Sequence, residues 1–292
     1  MLYNISGTAV SVAYDVENTE IMTVYDINGL PIPIANYNNP TYTPLFTVTV
    51  NNTQGFDIHN GVMFQFRAGG SVSDVFTSID MATGSIIASD VTAVSGHGDS
   101  ATFSTEYYAE NDEYPLLYVS ADTTPYIYVD RVTASSSTLV QTIYLPYTVA
   151  GYHACATFNW HRNIMYTVGT VEDNYLTDDD GKNPCIVCEW DLSSMTGNGD
   201  GSYTPTLIRT YQRPFIYVMQ GQQYFGGYIW ICSGYSTGSQ YIYAMNPNTG
   251  TIEYTLTMPI TTEIEGLSWQ MKNGTPSIIV GFQGGVYYEI SF

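Results

Sequence analysis

Basic side chains are nearly missing from this chain. Its 292 residues include 7 Lys and Arg against 27 Asp and Glu, a formal net charge of −20 at pH 7. A duplex-binding surface needs a basic footprint, and none can be assembled from so few cations. Docking onto an anionic bilayer is disfavoured for the same reason. The expectation is therefore no nucleic acid and no membrane among the partners. No apolar run approaches the roughly 18–20 residues of a membrane span. The opening Met1-Leu2-Tyr3-Asn4 lacks the basic and apolar regions of a secretory signal, so synthesis and use without such export is expected.

Cysteine is scarce too: Cys155, Cys185, Cys188 and Cys232. Cys185 and Cys188 form a C-x-x-C, but it opens a strand-like run (Ile186-Val187-Cys188-Glu189-Trp190), and no second pair completes a zinc site. The reading is four buried, reduced thiols, with no argument for an oxidising compartment. Helical periodicity is absent from Leu45 onward, where the chain reads as strands throughout. G-x-S-x-G, P-loop and H-E-x-x-H motifs are also missing.

What the chain has is a repeat. A polar residue followed by Gly or Ala introduces a run of β-formers five times: Gln54-Gly55-Phe56, His97-Gly98-Asp99, His153-Ala154-Cys155, Gln220-Gly221-Gln222 and Glu265-Gly266-Leu267. The copies lie 43, 56, 67 and 45 residues apart, about the length of one four-stranded propeller blade. The fifth repeat ends at Phe292 after three strands. Leu45–Val50, ahead of the first motif, supplies the missing fourth and removes two open sheet edges. The expected fold is an all-β, five-bladed β-propeller over residues 45–292, closed by an N-terminal strand. A linker, Pro33 to Pro44, precedes it.

First strands of blades lie nearest the axis, so Gln54, His97, His153, Gln220 and Glu265 are the candidate binding residues, forming a ring around the channel. The adjacent Gly or Ala lets the backbones converge there. The bland alternative is a polar channel satisfied by its own hydrogen bonds and trapped water; the others are a bound metal ion or a functional ligand. No cofactor is expected apart from such an ion, in the channel or in the acidic loop Glu172–Gly181. That loop departs from EF-hand spacing and reads better as solvated charge.

Glycoside hydrolysis needs paired carboxylates. The ring offers one, Glu265, while Asp57 and Asp99 occupy other offsets in their repeats. No catalytic residue is assigned, and no enzymatic activity is expected. The 27 tyrosines suit strands, and their rings also stack on sugars. Tyr107, Tyr108, Tyr152, Tyr175, Tyr211, Tyr224 and Tyr235 fall in or near loops, though each alone is more often packing.

Residues 1–34 differ from the rest. Ala13-Tyr14-Asp15-Val16 returns as Val24-Tyr25-Asp26-Ile27 after 11 residues, and each copy is too small to fold alone. With Ile5-Ser6-Gly7, this opening resembles the short attachment segments of bacteriophage structural proteins. The body that begins Gln54-Gly55-Phe56-Asp57-Ile58 is similar in architecture to propeller platforms of phage receptor-binding proteins. The long helical stem of those proteins has no counterpart here.

That resemblance implies a virion protein, made in the host cytoplasm, that contacts a host cell-surface glycan without cleaving it. It also implies docking to other virion proteins through residues 1–34, and a homo-oligomer as a further arrangement. A propeller-type hydrolase or lyase, and a structural virion protein without a ligand, are the alternatives. Clustered carboxylates in a deep axial pocket would favour the enzyme.

Overall fold

Runs of Val, Ile, Thr, Tyr and Phe alternate with Gly-, Asn- and Asp-containing turns along most of this chain, and such runs form strands because branched and aromatic side chains pack well on a pleated surface. The computed structural model describes residues 37, 39–50, 52–67, 75–93, 97–120, 124–173, 184–214, 216–272 and 275–292, with four short strands nearer the N-terminus. Those four are β1 (Leu2–Tyr3), β2 (Ala9–Val10), β3 (Ala13–Tyr14) and β4 (Glu20–Ile21), paired antiparallel as β1–β2 and β3–β4. The second copy of the 11-residue duplication lies outside the described residues.

After β5 (Thr41–Thr47), the strands come in sets of four. The first is β6 (Thr53–His59), β7 (Val62–Arg67), β8 (Val75–Asp80) and β9 (Ile86–Thr92). The second is β10 (Ser100–Phe103), β11 (Leu117–Ser120), β12 (Tyr126–Thr133) and β13 (Ser136–Tyr144). The third is β14 (Tyr152–Asn159), β15 (Ile164–Thr170), β16 (Cys185–Gly197) and β17 (Ser202–Arg213). The fourth is β18 (Met219–Phe225), β19 (Tyr228–Ser233), β20 (Tyr241–Met245) and β21 (Ile252–Thr257). The last is β22 (Ile264–Lys272), β23 (Thr275–Phe282) and β24 (Val286–Ser291), to which β5 is added. Within each set, consecutive strands pair antiparallel.

The leading strands β6, β10, β14, β18 and β22 touch in that cyclic order, and β22 returns to β6. They are largely buried, whereas β9 is mostly exposed, so each set runs from the centre outwards. Apolar clusters fill the spaces between successive sets. Phe64, Phe66 and Phe76 pack on Leu117 and Val119; Val129 and Ile143 pack on Phe158 and Trp190. Tyr166 and Val187 meet Ile229 and Ile231; Trp230 and Ile242 meet Ile278 and Phe282; Ile279 and Tyr287 meet Phe56 and Met63.

Three details differ from the sequence expectation. The closing strand is Thr41–Thr47, not Leu45–Val50: Thr47 opposes Val286, Phe46 opposes Tyr287 and Thr41 opposes Ser291. Part of the expected linker is therefore strand. Pro44 is accommodated because β5 is an edge strand with a register shift at that point. Next, the second and third sets are not separate sheets: β16 runs on to Gly197 and β17 begins at Ser202. The lengthened β17 pairs parallel with β13, Thr142 opposite Ser202 and Ile143 opposite Tyr203, fusing the second and third sets into one eight-stranded sheet. Third, single helical turns interrupt the strands at Tyr147–Ala150 and Trp160–Arg162. All four cysteines are buried.

Candidate functional site: an axial cavity

The polar-Gly/Ala motifs coincide with irregularities in the leading strands. Pairing of β6 with β7 shifts between Thr53 and Phe56, leaving Gln54 and Gly55 unmatched. The same happens to His153 and Ala154 in β14, to Gln220 and Gly221 in β18, and to Glu265 in β22. A bulge of this kind re-aims a side chain that regular pleating would turn into a neighbouring sheet. His97 precedes the first residue of β10, and His153 takes a left-handed backbone conformation with φ 52°.

Gln54, His97, His153, Gln220 and Glu265 all line one cavity of about 240 Å³. Beside it the backbones meet without room for side chains. A Cβ on Gly55 would lie 2.4 Å from the Asp99 carbonyl oxygen, and one on Gly266 would lie 3.0 Å from the Gly55 Cα. Gly55 N–H donates to the Gly98 carbonyl at 2.9 Å. Ser100 Oγ reaches the carbonyls of Gln222 at 2.9 Å and Ala156 at 3.1 Å, tying three leading strands together.

The expected single carboxylate is corrected by this geometry. Asp99 and Glu263 line the same cavity as Glu265. Each stands two residues from a ring member, just ahead of a leading strand, and the His97-x-Asp99 and Glu263-x-Glu265 spacings were the available signal. His97 Nδ1 lies 2.6 Å from Asp99 Oδ1. Gln220 Nε2 donates to Glu263 Oε1 at 2.9 Å, and His153 Nε2 lies 3.0 Å from Asp173 Oδ1. Glu265 is only 3% exposed. Burial first, then the neighbouring Glu263 and Asp99 charges, push its carboxyl up to about 9. Burial also raises Glu263, against hydrogen bonds from the Ser236 backbone and Gln220.

The rest of the lining is less polar. Ile216, Val218 and Met219, just ahead of the Gln220 bulge, form an apolar wall with Tyr235, while Thr170 and the exposed Gln283 complete the surround. Tyr235 is the one loop tyrosine, among the described residues, that lines the cavity. Tyr211 donates to the Pro247 carbonyl at 2.8 Å, Tyr224 stacks on Tyr166, Tyr152 stacks on Tyr147, and Tyr108 lies under Arg131. Those contacts lie away from the cavity, and Tyr108 is exposed. Tyr107 is exposed, and Tyr175 lies outside the described residues.

Among the described residues, no group of three or more His, Cys, Asp and Glu is arranged to hold a metal ion. Most of the acidic loop, residues 174–181, lies outside them. Asp57 does not reach the cavity; it is buried among the leading strands and hydrogen-bonded there.

No family model matches the chain, and no curated protein matches it in sequence. Solved structures match in shape. Glutaminyl cyclase from Myxococcus xanthus superposes with a TM-score of 0.51 at 13% identity, over 86% of this chain and 93% of the enzyme. The fold is all-β and propeller-like. Saccharomyces cerevisiae Sqt1 matches 85% of this chain and 62% of its own, with a TM-score of 0.37 at 9% identity. Kuenenia stuttgartiensis hydrazine synthase matches 81% of this chain and 58% of its own, with a TM-score of 0.41 at 9% identity.

Proposed function

We propose that the chain is a five-bladed β-propeller of a bacteriophage tail or receptor-binding protein, and that its axial cavity recognises a host-surface glycan without cleaving it. Five sets of four strands whose leading strands touch in a ring support the blade count. The virion assignment rests on the N-terminal repeat. Residues 1–34 dock the protein to other virion components, so that many copies act together and weak single sites give useful adhesion.

The observation that carries the glycan reading is the chemistry of the cavity. Amide, imidazole and carboxyl groups of Gln54, Gln220, His97, His153, Asp99 and Glu263 converge with an apolar wall and one tyrosine ring. Hydrogen-bonding groups beside an apolar face suit a polyol ring. A volume of about 240 Å³, below the roughly 300–1,000 Å³ of drug-sized sites, suits a single ring.

A specific observation favours a second reading, a glycoside hydrolase: Glu265 is held protonated at neutral pH beside two further carboxyl groups, as a general acid requires. Against it, one oxygen of Asp99 is held by His97 and one of Glu263 by Gln220, an arrangement that orders both carboxyl groups within the lining. A panel of purified bacterial cell-wall glycans, assayed for retention of the protein and for released sugar, separates the two. Retention without release is expected. Release that disappears in Glu265→Gln would replace recognition with hydrolysis, and neither retention nor release would remove the glycan reading.

A further inference from the structure

The axial cavity holds more acceptors than donors. Glu265 is 3% exposed, and among the described residues no hydrogen bond reaches its carboxyl group. Gln54 is 8% exposed, and its Oε1 also has no hydrogen-bond partner. Asp99 and Glu263 add two more carboxyl groups. No Lys or Arg stands among the described residues of the lining to balance them. A polar atom kept from water without a partner, as Gln54 Oε1 is, costs about 1–3 kcal/mol. Burial and the neighbouring carboxyl groups favour the protonated form of Glu265 while the cavity is empty. The arrangement is completed by a ligand that brings positive charge and several N–H donors at one point.

We propose that the cavity takes a primary ammonium group, presented by an amino sugar of the recognised glycan, with Glu265 as its counter-ion and Gln54 Oε1 as a further acceptor. The sugar rests on the glycan reading above; the charge does not. An ammonium carries three donors and no acceptor, the complement of what converges here. A bare metal ion fits less well. It would leave the wall of Ile216, Val218, Met219 and Tyr235 without a counterpart, whereas the carbon skeleton of an amine lies naturally against it.

Proton release follows from the same contacts. The groups that face or couple to Glu265 are the carboxyls of Glu263 and Asp99, the imidazoles of His97 and His153 across the cavity, and the buried Cys232 thiol. None of these supplies a fixed cation. An entering ammonium does, and stabilises the ionised form of Glu265. Binding at pH 7 should then expel up to about one proton into the buffer.

Calorimetry on the full chain, in two buffers of different ionisation enthalpy, tests the proposal with four probes: methyl glucosaminide, its N-acetyl form, ethanolamine and calcium. The amino sugar should bind at least tenfold more tightly than its acetylated form, with proton release. Glu265→Gln should cut that affinity at least tenfold while leaving thermal unfolding unchanged or raised. Gln54→Met, which removes an acceptor at similar size, should weaken it several-fold and serves if the first variant does not fold.

Equal binding of both sugars would overturn the ammonium site and leave the glycan reading standing. Binding of ethanolamine but of neither sugar, lost in Glu265→Gln, would uphold the ammonium site and remove the glycan. Calcium bound in place of any amine, or no probe bound at all, would overturn the proposal.

Discussion

The buried carboxylate of Asp57, on β6, accepts the backbone N–H of Phe103, on β10, at 2.6 Å. The same carboxylate accepts the N–H of Ile58 at 2.8 Å and the hydroxyl of Ser268, on β22. One side chain thus joins three neighbouring leading strands near the axis. Asp57→Ala removes all three bonds and leaves a buried N–H and a buried hydroxyl unpartnered, an expected loss of about 3 kcal/mol or more. Asp57→Asn keeps one carbonyl acceptor and should lose less. Urea unfolding of the two variants checks the order; equal midpoints would mean that Asp57 is not a structural tie.

Glycine at the axis has a steric role that a single methyl group should expose. A Cβ on Gly55 would meet the Asp99 carbonyl oxygen at 2.4 Å, a backbone atom that cannot turn aside. Gly55→Ala should therefore lose about 2–3 kcal/mol or fail to fold. Gly197→Ala is the matched control, since the nearest atom to its added Cβ is 3.8 Å away. It should stay within about 0.5 kcal/mol of the parent. A stable Gly55→Ala would show that the backbones at the axis stand further apart.

Buried acids give the protein an inverted pH dependence. Burial pushes Asp57 and Asp130 up to about 6 and Glu265 up to about 9. Between the ordinary carboxyl range and those values, the folded chain holds protons that the unfolded chain has already released. Stability is then greatest in mild acid and falls as pH rises, first through about 6 and again towards 9. For Asp57 the rise of about two units corresponds to about 3 kcal/mol. Thermal unfolding midpoints should be higher at pH 5 than at pH 8 by several degrees. In Glu265→Gln the decline between pH 7 and 9 should flatten, while the decline below pH 7 persists. A midpoint that climbs steadily from pH 5 to pH 8 would contradict these shifts.

The leading strands are legible in the sequence because close backbone approach demands Gly or Ala at a fixed place, and a bulge demands an unmatched polar residue beside it. Gln54-Gly55 and Gln220-Gly221 carry both marks. Glu263 carries neither: it reaches the cavity from just ahead of β22, two residues before Glu265, and a search for equivalent repeat positions passes over it. Asp99 escapes for the same reason, two residues beyond His97. The β13–β17 junction is hidden because Asn198-Gly199-Asp200-Gly201 marks a turn without marking how far the strands run before it. At the closing strand, Pro44 reads as a break, yet an edge with a register shift tolerates it.

The last expectation concerns where the chain can be cut. Tyr37 packs its ring against Phe292 at 4.8 Å and 77°, and against Trp230 at 5.1 Å, so the start of the described body is pinned to the C-terminal residue. Beyond it, β5 covers the hydrogen-bonding edge of β24. Removing residues 1–36 spares both features and should leave a folded monomer that retains the binding cavity while losing attachment or self-association. Removing residues 1–47 strips the edge of β24 and takes Phe46 from its contact with Tyr287, where the ring centroids are 5.2 Å apart. An uncovered, largely apolar edge is a template for pairing with another chain. The longer deletion should therefore aggregate or unfold at a markedly lower temperature. Size-exclusion chromatography and thermal unfolding distinguish the two variants. If the shorter deletion also collapses, residues 1–36 belong to the body of the fold rather than to an attachment segment.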